Sequence, residues 1–322
     1  MIAAGKDSRM NSVGNERIEA IIRNIEKRIV GKREAIMKVI CALLCEGHIL
    51  VEDVPGVGKT RLISALANSV EGAFNRIQFT PDIMPSDIVG VSMVDRQTGA
   101  LEYKAGTAMC NFLLADEINR ASPKAQSSLL EIMEEHQISL DSVTMPLPEP
   151  FMVMATENPV ETYGTYHLPE AQMDRFLMRI SMGYPAYDDE FDIVRRSEQA
   201  RFNEKLSPVM SLEEVKEHIR KAAAVGCTDS IVDYVIRLVT ATRSSDLMTL
   251  GASPRASIAL LRAAKAWAYI AGRSYVLPDD VKAMCVPVLA HRLILSPKGK
   301  STCESADEAV RQTALGVEAP AR

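Results

Sequence analysis

A glycine-rich segment of the chain combines the residue types that bind phosphate groups. The letters VPGVGKT follow the apolar run His48–Val51, and this order predicts a strand, a turn and the start of a helix. Gly56 and Gly58 lack a Cβ, so the backbone can turn its N–H groups inward, where they and the helix N-terminus bind phosphate oxygens. Lys59 is then expected to reach the β- and γ-phosphates of ATP, and the Thr60 hydroxyl to bind Mg²⁺.

The segment departs from the usual phosphate-binding pattern at one position. That pattern begins with glycine six residues before the lysine, whereas this chain has Asp53 there. Pro55 and Gly56 can supply the turn instead. A lysine on a solvated helix is the alternative interpretation of Lys59. The nucleotide-binding residues predicted from this segment are Pro55, Gly56, Val57, Gly58, Lys59, Thr60 and Arg61.

Two further apolar runs end in polar residues that suit the same chemistry. Asp116 and Glu117 directly follow Asn111–Ala115, and Asn158 lies just beyond Phe151–Ala155. Parallel strands deliver their carboxyl ends to the edge where ligands bind. Asp116 can hold Mg²⁺ through water, Glu117 can polarise the attacking water as a general base, and Asn158 can orient that water. A polar loop and a cap of the following turn are the alternative interpretations.

Two arginines are candidates for contacts with the γ-phosphate. Arg255 follows Pro254 in the first turn of a predicted helix, where the helix dipole disfavours a cation. A γ-phosphate would compensate for this, and so would a nearby carboxylate. Arg175 lies about twenty residues beyond the fourth strand and could project into a neighbouring subunit, where such an arginine accelerates phosphoryl transfer by about 10³ to 10⁵. It could equally pair with Asp174 or Glu170.

The pattern of apolar residues changes character once along the chain. It has helical spacing from Glu16 to about Gly47 with a break at Gly31, and strands alternate with helices from there to about residue 183. This order predicts a mostly parallel, five-stranded sheet covered on both faces. Beyond Pro185 the predicted helices are Asp188–Ala200, Leu212–Ala224, Asp229–Thr242, Pro254–Gly272 and Pro278–Leu293, with no strand-like alternation. We therefore predict a flexible tail at residues 1–13, an α/β domain at 14–184 and a smaller, all-helical lid domain at 185–322, whose end beyond Ser296 is polar and partly ordered.

The composition sets limits on location and partners. The chain has 322 residues, 47% of them hydrophobic and 25% charged, which suits a soluble two-domain protein. It has neither an apolar stretch long enough to span a membrane nor the apolar run of a signal peptide, so we expect a cytoplasmic protein. The six cysteines form no CxxC pair, and we interpret them as core residues rather than metal ligands. A formal net charge of −5 argues against a general affinity for nucleic acid.

Taken together, these motifs resemble those of the MoxR family of AAA+ ATPases. The resemblance covers residues 16 to 295 and is carried by the strings EDVPGVGKT, LLADEINRASPKAQSSLLEIMEE, ATENP, GTYHLPEAQMDRF and SPRA, in that order. It implies an α/β P-loop NTPase fold of the AAA+ type, in which the fourth strand inserts between the first and the third. The roles that it implies are Walker A for Lys59 and Thr60, Walker B for Asp116 and Glu117, sensor 1 for Asn158, arginine finger for Arg175, sensor 2 for Arg255, and adenine contacts for Val30 and Gly31.

Two insertions and two departures refine the resemblance. Val91–Ala105, with a turn at Gln97–Gly99, and Gln137–Met145 are predicted to form hairpins. The resemblance implies that the hairpins face a ring pore or a partner, and two ordinary surface hairpins are the alternative. The string GTAMCNFLLADE lacks the proline and phenylalanine that usually precede the Walker B strand, and Glu157 stands where glutamine is common. Neither departure touches the proposed chemistry.

The resemblance implies a chaperone-like ATPase that forms a hexameric ring and remodels or matures a partner, typically a protein with a von Willebrand factor A domain. ATP would bind between the two domains, Arg175 of the next subunit would complete the site, and hydrolysis would rotate the helical lid. A metal-chelatase motor subunit and a nucleic-acid motor are the alternatives, and the negative net charge disfavours the second. A non-hydrolysing nucleotide switch would have no need of both Glu117 and Arg175.

Overall fold

The computed structural model describes residues 15–54, 56–94, 101–140, 143–158, 165–166, 168–198 and 206–320. The predicted tail at residues 1–13 lies outside the described residues. The strands are β1 (Ile49–Glu52), β2 (Phe74–Gln78), β3 (Gly90–Val94), β4 (Leu101–Ala105), β5 (Phe112–Asp116), β6 (Gln137–Leu140), β7 (Val143–Pro146), β8 (Met152–Glu157), β9 (Met178–Ile180), β10 (Met248–Leu250) and β11 (Ile294–Leu295). The helices are α1 (Glu16–Glu26), α2 (Arg33–Leu44), α3 (Lys59–Ser69), α4 (Pro85–Val89), α5 (Pro123–Glu135), α6 (Glu170–Met173), α7 (Tyr187–Ser197), α8 (Leu212–Ala223), α9 (Asp229–Ser244), α10 (Pro254–Ile270), α11 (Pro278–Leu289), α12 (Pro297–Thr302) and α13 (Ala306–Leu315).

A parallel sheet with the strand order β2-β5-β8-β1-β9 forms the centre of the α/β part. Strands β1, β5 and β8 are buried at every position except the last, because both faces of the sheet are covered. The predicted five-stranded sheet is confirmed, and β8 lies between β5 and β1, as the resemblance implied. The register places Gln78 beside Asp116 and Glu52 beside Glu157, so polar strand ends meet at one edge.

Helix α2 joins the α/β part to the lid. Eight of its residues are buried, and they surround most of its circumference: Ala35, Ile36, Val39, Ile40, Cys41, Ala42, Leu43 and Leu44. A helix that is apolar nearly all round must be covered on several sides. Helices α1, α8 and α10 supply this cover, and one continuous apolar core runs from α1 through α2 into the lid helices. Five of the six cysteines are buried and all six are free thiols, in keeping with their interpretation as core residues.

Two antiparallel hairpins project from the α/β part where they were predicted. Strand β3 pairs with β4, and β6 pairs with β7. Gly90 opens the first hairpin at φ +95°, and a Cβ there would lie 2.4 Å from the Lys104 carbonyl oxygen, so the close approach of the two strands requires glycine. The predicted turn at Gln97–Gly99 lies outside the described residues.

The lid is helical but differs from the prediction in three details. Strand β10 pairs antiparallel with β11, so the expectation of a lid without strands was wrong, because strands of two and three residues are too short to show alternation. The end beyond Ser296 forms α12 and α13 rather than a partly ordered segment. Helix α11 ends at Leu289, two residues after Pro287, and a 3₁₀ turn follows. Along the described ranges, none of the helices is both long and apolar enough to cross a membrane.

Candidate nucleotide-binding site

The loop between β1 and α3 has the backbone conformation of a phosphate cradle. Gly56 and Gly58 have φ values of +88° and +97°, a region that residues with a Cβ rarely adopt. A Cβ on Gly56 would meet nothing within 4 Å, so this face of the loop opens into free space. Helix α3 begins at Lys59, whose buried ammonium group donates a hydrogen bond to the Asp53 carbonyl oxygen at 3.0 Å. The predicted contact residue Pro55 lies outside the described residues.

The loop forms one wall of a cavity of about 790 Å³ at the carboxyl ends of the sheet strands. Ten of the residues predicted from the sequence line this cavity: Val30, Gly56, Val57, Gly58, Lys59, Thr60, Arg61, Asp116, Glu117 and Asn158. Gly31 directly follows Val30 at φ +70°, and a Cβ there would overlap the Asp189 carboxylate. The remaining wall comes from the connection between α1 and α2, from β2, from the Tyr184–Pro185 segment and from helix α7. The structure therefore brings the loop, the two carboxylates and the predicted adenine contact of Val30 into one site.

The Asp116 carboxylate at the end of β5 is held on both sides. Thr156 Oγ1 donates to Asp116 Oδ1 at 2.6 Å, and Arg76 Nη2 donates to Asp116 Oδ2 at 2.7 Å. Thr156 is fully buried on the neighbouring strand β8. These bonds fix the orientation of the Asp116 carboxylate, and Asp116 and Thr60 both line the cavity.

Glu117 sits in a strained conformation that its surroundings maintain. Its φ of 57° and ψ of 50° lie in the left-handed region, which is uncommon for residues other than glycine. Its backbone N–H donates to Thr156 Oγ1 at 2.9 Å, and its carboxylate accepts from Gln78 Nε2 at 2.8 Å and pairs with Arg120 Nε at 3.1 Å. The Glu117 carboxylate is therefore fixed at the cavity wall through both its backbone and its side chain.

Sequence reasoning missed three residues of this network, namely Arg76, Gln78 and Thr156. Each lies on a strand whose neighbours in the sheet are distant in the chain, and only the pairing register brings it to Asp116 or Glu117. A signal existed in the polar letters at the ends of β2 and β8.

The end of β8 also carries a carboxyl group with altered acidity. Glu157 lies beside Glu52 in the register of β8 and β1, and Asn158 follows it as a buried residue. Burial, together with the nearby Glu52 carboxylate, raises the pKa of Glu157 to about 7, and the Arg179 guanidinium partly opposes this rise. Arg179 itself pairs with Glu52 at 2.6 Å.

The two predicted γ-phosphate arginines lie together, but on a different face of the chain. Arg175 Nη2 and Arg255 Nη2 pair with the two oxygens of one carboxylate, Glu134, at 3.0 and 2.7 Å. They line a second cavity, of about 280 Å³, and neither belongs to the wall of the phosphate cavity as the structure describes it. The lid packs on α2 and the β9 side of the sheet, and Arg255 lines the second cavity rather than the one that contains Lys59.

The surroundings of this arginine pair are tied to the lid. Asp174, which was an alternative partner for Arg175, instead accepts from Arg292 Nε at 2.6 Å and from Ser253 Oγ at 3.2 Å. Arg292 is buried and also donates to the carbonyl oxygens of Phe176 and Leu177, at 2.7 and 3.1 Å. The carboxylate that compensates Arg255 is thus Glu134, and Asp174, directly before Arg175, joins that segment to the lid.

A parallel sheet in this strand order, a glycine cradle at its carboxyl edge, an Asp–Glu pair at the end of β5 and a helical lid define a P-loop ATPase of the AAA+ class. Residues 48–178 match the family model described as ATPase family associated with various cellular activities, and residues 240–313 match that of an AAA lid domain.

Comparison with known proteins identifies the family to which this chain belongs within the AAA+ class. YeaC of Bacillus subtilis is 46% identical over 299 residues, which span 93% of this chain and 93% of that protein. Chaperone MoxR1 of Mycobacterium tuberculosis is 41% identical over 292 residues, spanning 87% of this chain and 76% of that protein. The crystal structure of a Cytophaga hutchinsonii protein assigned as an ATPase superposes with a TM-score of 0.88 at 38% identity, over 95% of this chain and 96% of that one. The chain belongs to the MoxR family of AAA+ ATPases.

Proposed function

We propose that this chain binds ATP with Mg²⁺ in the cavity above the Gly56–Gly58 loop and hydrolyses it to ADP and phosphate. The observation that carries the proposal is the convergence of ten predicted residues, from four separate segments of the chain, on one cavity. Their types cover the needs of phosphoryl transfer: a backbone cradle, a cation, carboxylates and an amide.

The cradle would bind the phosphates and the metal ion. Lys59 Nζ, which now donates to a backbone carbonyl, would turn to the β- and γ-phosphates, because a charged acceptor binds an ammonium group more strongly. Thr60 Oγ1 and the Asp116 carboxylate offer the oxygen ligands that Mg²⁺ prefers, and both line the cavity. When bound, Mg²⁺ neutralises phosphate charge.

Glu117 would accept a proton from the attacking water, and Asn158 would orient that water. Both side chains line the cavity next to the loop. Glu117 is held by Gln78 and Arg120, which fix the direction of its carboxylate. The fixed geometry supports a general base rather than a flexible surface acid.

The arginine pair would act on the nucleotide of the next subunit. Arg175 and Arg255 share Glu134, remain 30% and 62% exposed in their side chains, and line a cavity other than the one above their own phosphate loop. In an ATP-dependent hexameric ring this face would meet the neighbour's cavity, where an arginine stabilises the charge of the transition state. Contact with the neighbour's nucleotide would explain why two arginines lie together beside a cavity that has no phosphate loop.

The cellular role that we propose is chaperone-like remodelling or maturation of a protein with a von Willebrand factor A domain. Support comes from membership of the MoxR family and from the name of the Mycobacterium tuberculosis relative, Chaperone MoxR1. The ATPase cycle would supply the work, and the hairpins β3–β4 and β6–β7 offer surfaces for the client.

Glu117→Gln separates binding from hydrolysis. The variant should bind a fluorescent ATP analogue with an affinity within about threefold of the wild type, while turnover falls by at least about a hundredfold. Rapid hydrolysis by this variant would exclude Glu117 as the base. The matched control Glu131→Gln changes an exposed carboxylate on α5 and should leave turnover unchanged.

The same Glu117→Gln protein, loaded with ATP, can capture the client from a lysate of its source cell. Recovery of a von Willebrand factor A-domain protein only in the presence of ATP would support the proposed role. Recovery of chelatase subunits, or salt-sensitive recovery of DNA with replication proteins, would contradict the role while leaving the ATPase site intact.

A further inference from the structure

The aspartate that departs from the usual phosphate-binding pattern is a buried junction between three segments. Asp53 is only 6% exposed. Its carboxylate accepts hydrogen bonds from Ser181 Oγ at 2.8 Å, from Gly183 N at 3.2 Å and from Met182 N. A glycine at this position, as in the usual pattern, could make none of these bonds.

The backbone of Asp53 makes contacts in two other directions. Its N–H donates to the Glu157 carbonyl oxygen at 3.3 Å, one residue before Asn158, and its own carbonyl oxygen accepts from Lys59 Nζ at 3.0 Å. One residue therefore touches the strand that carries Asn158, the lysine of the phosphate loop and the segment after β9.

The segment after β9 shapes the nucleotide cavity. Tyr184 and Pro185 line the cavity, and so do three residues of the helix that follows, α7. Among the residues of α7 itself, none is buried, so its packing alone does not hold it in place. Contacts near its N-terminus position α7 instead: the Asp189 carboxylate lies against Gly31, and Lys32 Nζ donates to the Tyr184 carbonyl oxygen at 2.8 Å.

We propose that Asp53 is a positioning residue that couples nucleotide binding at the loop to the placement of residues 181–186 and helix α7 over the cavity. Lys59 Nζ leaves the Asp53 carbonyl oxygen when it turns to the phosphates, and the loop backbone adjusts with it. The three hydrogen bonds from Ser181, Met182 and Gly183 to the Asp53 carboxylate transmit this adjustment to the segment, because hydrogen bonds to a carboxylate constrain the direction of their donors. The inference rests on the proposed function only in taking ATP as the ligand of the loop.

Hydrogen exchange of the backbone, measured with and without saturating ATPγS, tests the coupling in the full-length protein. In the wild type, ATPγS should slow exchange in residues 182–194. In Asp53→Asn, the amide cannot accept from all three donors, so this protection should vanish although the nucleotide binds with an affinity within about threefold of the wild type. The kcat for ATP should fall about tenfold, whereas a purely structural defect would change affinity and exchange throughout the α/β part.

Two further variants keep the test sharp. Ser181→Ala removes one donor and leaves the charge in place, so it should shift kcat and protection in the same direction by about two- to threefold. If Asp53→Asn does not fold, the same measurements on Ser181→Ala test the coupling. Asp246→Asn, an exposed lid carboxylate paired with Lys298, is the control and should match the wild type.

The outcomes separate this inference from the proposed function. Wild-type protection of residues 182–194 in nucleotide-bound Asp53→Asn would overturn the coupling, and so would the absence of such protection in the wild type. A wild-type protein that binds ATPγS and hydrolyses no ATP would overturn the proposed function, while its exchange pattern would still decide the role of Asp53.

Discussion

Removal of the Thr156 hydroxyl is the most direct test of how Asp116 and Glu117, the two carboxylates proposed to take part in hydrolysis, are held in place. Thr156 Oγ1 donates to Asp116 Oδ1 at 2.6 Å and accepts from the Glu117 N–H at 2.9 Å. Thr156→Val keeps the branched shape and removes both bonds. Because Thr156 is fully buried, water cannot replace the hydroxyl.

The structure sets the size of the effect. Losing a hydrogen bond to a carboxylate costs about 1.5–3 kcal/mol, and leaving the partly buried Glu117 N–H unpaired costs about 1–3 kcal/mol. The two terms overlap, so we expect the free energy of unfolding to fall by about 2–4 kcal/mol. The strained Glu117 backbone then loses its hydrogen bond to Thr156, and displacement of the Glu117 carboxylate should lower kcat about 10- to 100-fold.

Urea unfolding and steady-state ATPase kinetics measure both quantities. Thr156→Ser retains the hydroxyl and loses only a methyl group, so it should keep kcat within about threefold of the wild type. Equal damage from Ser and Val would show that packing of the methyl group, rather than the hydroxyl, matters. A Val variant with wild-type kcat would refute the idea that Thr156 fixes Glu117.

Three further predictions follow from other contacts. Asp174→Asn leaves the buried Arg292 guanidinium without its charged partner, and urea unfolding should show a loss of about 3–5 kcal/mol. Glu157 has a folded-state pKa of about 7, above its ordinary value of 4.5, so the folded state binds more protons between these two pH values. The free energy of unfolding should therefore fall as pH rises from about 4.5 to 7, by about 3 kcal/mol in all. Unfolding curves of Glu157→Gln at several pH values should show most of that pH dependence removed. Gly90→Ala would force a Cβ to within 2.4 Å of a β4 carbonyl oxygen, so thermal melts should show a stability loss of about 2 kcal/mol or more. Gly316→Ala, at an ordinary φ, serves as the control.

The sequence predicted those parts of the molecule that depend on local order along the chain. The glycine loop, the carboxylates after β5 and the parallel sheet follow from short motifs and from apolar runs, and the structure has them where the motifs lie. Contacts that depend on the pairing register of the strands could not be predicted from the sequence, as Gln78 beside Asp116 and Thr156 bonded to the Glu117 N–H show. The placement of Arg255 was also beyond reach, because it depends on how the lid packs against α2.

Arg292 has a consequence for how subunits would communicate. Its bonds to Asp174 and to the carbonyl oxygens after Arg175 fasten the arginine face to the lid, and the Ser253–Asp174 bond does the same two residues before Arg255. In the proposed ring, a lid that rotates after hydrolysis in one subunit would therefore shift the cations that face the nucleotide of its neighbour. The subunits would then hydrolyse ATP in an order set by this mechanical link. Weakening the Asp174–Arg292 pair should make ATP turnover around the ring less cooperative.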